Sequence, residues 1–96
     1  MKLVIICYNI AIGDEVLEVL KEVGISSYTR FKEAQGVGKL SGPHLGNHIW
    51  PGVNSVLAVA LEDEKKNKLI EKIKELRKKL GKEGVKAFVL PLEEIT

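Results

Sequence analysis

Cysteine is almost missing from this chain. Cys7 stands alone, so neither an intrachain disulfide nor a multi-cysteine metal cluster can form. It sits in the run Leu3-Val4-Ile5-Ile6-Cys7, where a lone thiol reads as an inert core side chain. Aromatic residues make up only 5% of the sequence. The first and third expected strands carry just Tyr8 between them, too little for the base-stacking platform of an RNA-recognition domain. Charge of one sign is lacking too, and a formal net charge of +2 defines no nucleic-acid interface. No apolar run approaches the ~20 residues that span a bilayer. The stretch after Lys2 is short and ends at Gly13-Asp14-Glu15 without a small-residue cleavage site. No nucleophile–base pair or carboxylate dyad stands out, which argues against an enzyme such as a small phosphatase or a monooxygenase-like dimer. The expectation is a cytoplasmic, non-enzymatic protein with no nucleic-acid partner and no direct membrane insertion.

What is present fits one domain over residues 1–96, with 45% hydrophobic and 29% charged residues. Leu3 to Tyr8 is a continuous apolar run, too short for a helix and suited to a strand covered on both faces. Asp14 is placed to cap a following helix, with Asp14, Glu15 and Glu18 near its positive end. Val16, Leu17, Leu20 and Val23 give that helix an apolar stripe, and Gly24 closes it. Ser26 to Gln35 reads as a more polar edge strand, Asn54 to Leu61 as a third strand. Glu62-Asp63-Glu64 opens a second helix with Leu69, Ile70, Ile73, Leu76 and Leu80 toward the core. Its basic run from Lys65 to Lys82, broken by Glu71 and Glu75 and followed by Glu83, reads as a solvated face. Val85 to Leu90 is the last strand.

This order predicts an α+β, ferredoxin-like β-α-β-β-α-β sandwich: a four-stranded antiparallel sheet with two helices on one face. Strands one, three and four lack the apolar–polar alternation of a sheet with a wet side. The second sheet face therefore calls for other copies of the chain, as a dimer or a trimer. Between the second and third strands, Gly36, Gly38, Gly42, Gly46 and Gly52 join Pro43 and Pro51. That density excludes a regular element over most of the span, and a loop so long in a small domain usually carries function.

Several segments resemble one family in order along nearly the whole chain. Asp14 to Ile25 is similar to the first helix of PII signalling proteins and their entry into strand two. Thr29 stands where that family has a threonine. Gln35-Gly36-Val37-Gly38-Lys39 resembles the glycine-x-glycine-basic motif at the base of its T-loop. Val59 to Asp63 resembles its strand-three exit, and Gly84 to Ile95 its fourth strand with the turn before it. The resemblance implies a trimer with the three sheets facing inward, and effector clefts between subunits. It implies Thr29, Gly36, Gly38, Lys39, Glu62, Gly84 and Lys86 as ligand contacts, and a T-loop-like segment at about 36–52 that meets a regulated protein or transporter. Glycine backbone N–H groups with Lys39 and Lys86 suit a nucleotide or another anion. The other reading of Gly36 and Gly38 is a bulge leaving strand two.

Departures from the family pattern point to a divergent branch with its own effector. The chain runs to Thr96 without the C-terminal arginine pair that typical members place on nucleotide phosphates. The B-loop is shortened to Gly81-Lys82-Glu83-Gly84. Leu40 follows Lys39 where typical members have a glutamine near the 2-oxoglutarate site, and Lys39 to Trp50 is a short T-loop without a tyrosine. Adenine nucleotide is one expected ligand; a divalent metal is the alternative. His44 and His48, both in this loop, are candidate metal ligands in a metal-responsive PII-like or CutA-like trimer. Two imidazoles do not close a zinc site, so another donor is needed. Trp50, before Pro51, reads as the residue pinning the loop's return.

Overall fold

The computed structural model describes residues 1–37, 53–81 and 84–96. Strand β1 (Lys2–Asn9) leads through a single 3-10 turn, Ile10–Ile12, into helix α1 (Gly13–Val23). Strand β2 (Thr29–Gln35), strand β3 (Val53–Leu61), helix α2 (Asp63–Leu80) and strand β4 (Val85–Pro91) follow. The strands form one antiparallel sheet in the order β2-β3-β1-β4. This is the ferredoxin-like α+β architecture that the sequence predicts.

Burial alternates along the central strands. Val4, Ile6 and Tyr8 of β1, with Leu57, Val59 and Leu61 of β3 and Val85 of β4, are buried among Val16, Val19 and Leu20 of α1 and Leu69, Ile73 and Leu76 of α2. Leu80 was expected in this stripe. It stands at the end of α2, where solvent reaches it, and is exposed.

The helix start differs from the expectation at Asp14. The cap belongs to Asn9, whose Oδ1 accepts the Ala11 N–H at 2.9 Å. The 3-10 turn offers the Ile10 carbonyl to the Gly13 N–H, and α1 opens at Gly13 without a side-chain cap. Asp14 and Glu15 still occupy the first turn, where the helix dipole favours them. The exit matches the expectation. Gly24 takes φ 86°, and Gly24 and Ile25 N–H groups donate to Lys21 and Leu20 carbonyls at 3.0 and 2.9 Å. This reversal uses up Ile25, which is buried, so β2 starts at Thr29 and not at Ser26. Lys65 Nζ donates to the Gly24 carbonyl at 2.8 Å, tying the end of α1 to the start of α2.

Cross-strand register orders the face away from the helices into rows. Leu90, Leu3 and Ala60 form one; Phe88, Ile5, Ala58 and Thr29 the next; Lys86, Cys7, Val56 and Phe31 the third. Side chains directly opposite one another share a face. Phe31, Phe88 and Leu90 are 58%, 49% and 41% exposed, so the single chain leaves apolar surface open here.

Candidate functional site

One end of the sheet gathers four strand termini. Asn9 and Asn54 face one another across β1 and β3, and Ala34 pairs with Asn54 from β2. The Asn9 N–H donates to the Gly84 carbonyl at 2.9 Å, which holds the start of β4 beside the end of β1. Gly36 lies so near Asn54 that a Cβ on it would stand 2.6 Å from Asn54 Nδ2. A larger residue there would require the Asn54 amide or the backbone to shift. Lys86 is one short step up the sheet, beside Cys7, with its side chain exposed. Gly36, Gly84 and Lys86 therefore lie at the same end of the sheet but on its opposite edges, with β3 and β1 between them.

Two further candidates stand away from them. Thr29 pairs with Ala58 in the middle row. Glu62 follows the opposite end of β3, eight positions from Asn54, or about 26 Å at about 3.3 Å per strand residue. Its side chain caps nothing. A single chain cannot bring Glu62 onto the Gly36–Gly84–Lys86 end. Gly38, Lys39, His44, His48 and Trp50 lie outside the described residues. Among the described residues, no three His, Cys, Asp or Glu side chains cluster in a way that would hold a metal ion.

A bulge leaving strand two is the other reading of Gly36 and Gly38; the bulge among the described residues lies earlier, at Lys32 and Glu33. Phe31 pairs with Val56 and Ala34 with Asn54, so Lys32 and Glu33 together oppose Ser55 alone. Ser55 Oγ, almost wholly buried, donates to the Lys32 carbonyl at 2.6 Å and fixes the bulge. Sequence reasoning missed this, and it missed the Asn9–Asn54 pair as well. Asn residues at both ends of apolar runs read simply as strand boundaries; their facing positions emerge only from register.

At the opposite end, Lys2 Nζ lies 3.3 Å and the terminal ammonium 3.7 Å from Asp63 Oδ1. The Lys2 hydrogen bond, and then its charge, hold the Asp63 carboxyl below its ordinary range. This ties the start of β1 to the start of α2. Among the described residues no helix is long and apolar enough to cross a membrane.

Solved structures similar to this chain share its fold. A PII-like signalling protein from Thermus thermophilus is 24% identical, with 93% of this chain and 83% of that one covered and a TM-score of 0.66. CPII from Thiomonas intermedia, a nitrogen regulatory PII-like protein solved with ADP, AMP and bicarbonate, is 18% identical. There 93% of this chain and 82% of that one are covered, with a TM-score of 0.71. The apo form of the same protein gives 15% identity, 93% and 85% coverage, and a TM-score of 0.69. No curated protein matches this chain. The family model for Nitrogen regulatory protein P-II matches residues 1–96, and the chain belongs to that family.

Proposed function

We propose that this P-II family chain is a homotrimeric regulator that binds an adenine nucleotide or a related anion in clefts between subunits. The observation that carries this reading is the separation of Glu62 from Gly36, Gly84 and Lys86 within one chain. A cleft using all of them takes one part from each of two copies. The apolar rows supply the reason for copies to associate, since burying one large apolar side chain contributes roughly 1.5–3 kcal/mol. The chemistry of the two parts is complementary. Backbone N–H groups at Gly36, and separately at Gly84 beside the Lys86 ammonium, each suit an anionic oxygen. The Thr29 hydroxyl and Glu62 carboxylate suit the amine and hydroxyl groups of a nucleoside. The adenine nucleotides in CPII support the same ligand class. Gly38 and Lys39 complete the anion side in this proposal, and the segment 36–52 meets the regulated protein. The role assigned is binding and not catalysis.

Calorimetric titration with ADP, AMP and ATP tests it. At least one nucleotide binds at the wild-type trimer, and Lys86→Ala weakens it at least tenfold, the loss of a charge-assisted contact of about 1.5–3 kcal/mol. Absence of binding by all three would overturn the ligand class.

A further inference from the structure

On the helix side of the sheet, away from the apolar rows, a cleft of about 250 Å³ opens between the start of α1 and the bulge of β2. Tyr8 and Ser55, which face each other in register, line it. Both are more than nine-tenths buried. Ser55 spends its hydroxyl on the Lys32 carbonyl, but the Tyr8 phenol makes no hydrogen bond among the described residues. A buried tyrosine hydroxyl normally finds a partner, because leaving it unmet forfeits its hydration. The ring lies beneath the first turn of α1, where a Cβ on Gly13 would make an ordinary 3.5 Å contact with Tyr8 Cε2.

Four charged side chains line the same cleft, and their signs balance. Arg30 and Lys32 come from β2, Glu33 from the bulge, and Asp14 from the first turn of α1. None makes an ion pair or a side-chain hydrogen bond among the described residues. A simple anion entering here meets two carboxylates, and a simple cation meets two basic groups. A molecule carrying both charges a few ångströms apart meets neither penalty.

We infer that this cleft binds a small zwitterion of the α-amino-acid class. The ligand carboxylate faces Arg30 and Lys32 and accepts the Tyr8 hydroxyl hydrogen. The ligand ammonium faces Asp14 and Glu33. The cleft is below the usual volume of a drug-sized pocket, roughly 300–1,000 Å³, which suits a ligand of this size. The site lies within one chain and does not use the nucleotide residues proposed above.

Titration of the full-length chain with the standard L-α-amino acids, followed by NMR or calorimetry, is the test. At least one binds, while its deaminated acid and its decarboxylated amine each bind at least tenfold more weakly. Tyr8→Phe keeps the buried ring and loses about tenfold in affinity. Arg30→Ala, at an exposed position, weakens binding at least as much and decides the matter if Tyr8→Phe disturbs the fold. The inference is overturned if no amino acid binds, if the deaminated acid binds as tightly as the amino acid, or if Arg30→Ala leaves affinity unchanged. ADP binding is measured on the same variants. Its persistence in Arg30→Ala separates this cleft from the one between subunits.

Discussion

Gly36, against Asn54, has the narrowest tolerance among the described glycines. A methyl group at Gly36 meets the Asn54 amide at 2.6 Å, so one of them must move. Gly36→Ala is therefore expected to cost about 1 kcal/mol, the lower end of overpacking penalties. Most of that loss returns in the double variant Gly36→Ala, Asn54→Gly, whose cavity accepts the methyl. Urea unfolding of the four-member cycle measures the coupling; additive losses would show that the two residues do not press on each other. A second residue-scale expectation concerns Asp63. Its pKa is lowered in the folded chain, so its stabilising contribution is present above the ordinary carboxylate value and is lost as pH falls through the lowered one. Lys2→Met raises the Asp63 pKa toward its ordinary value, as read by carboxyl NMR titration. An unmoved titration curve would contradict the role of Lys2.

At the scale of elements, the sequence made the number, kind and order of strands and helices legible through periodicity and the Gly24 stop. What it hid were competitions between neighbouring signals. Asp14 looked like a cap because acids favour helix starts, yet Asn9 acts five residues earlier and a 3-10 turn fills the gap. Ser26 looked like strand because nothing local forbids it, but the Gly24–Ile25 reversal has to finish first. The bulge has no local signature, since it depends on which β3 residue faces Lys32 and Glu33. Of the candidate site, Gly36, Gly84 and Lys86 share one end of the sheet on its two opposite edges, whereas the position of Glu62 at the far end becomes visible only with the strand register. Ser55→Ala tests the bulge: it removes the donor to the Lys32 carbonyl and is expected to cost about 1 kcal/mol. Hydrogen exchange of the β2 amides should rise selectively in this variant. Unchanged exchange there would mean that the bulge does not need Ser55.

The described residues present a sheet with one face largely covered by its helices and the other apolar but open. Ala58 sits in the middle row between Ile5 and Thr29, so Ala58→Glu places a charge at the centre of the expected subunit contact. An unpaired charge buried there costs several kcal/mol, and sedimentation should show dissociation or loss of folded protein. The proposed division of the ligand site between two copies is testable more directly, by mixing variants. Glu62→Ala and Lys86→Ala each damage every cleft of their own trimer, and each alone should bind ADP at least tenfold more weakly than wild type. Unfolded together and refolded as an equal mixture, the two chains assemble at random. About a quarter of the clefts then combine an intact Lys86 from one chain with an intact Glu62 from its neighbour. Calorimetry of this mixture is expected to recover about that fraction of sites at wild-type affinity. A mixture that binds ADP no better than the separate variants would contradict a cleft shared between subunits.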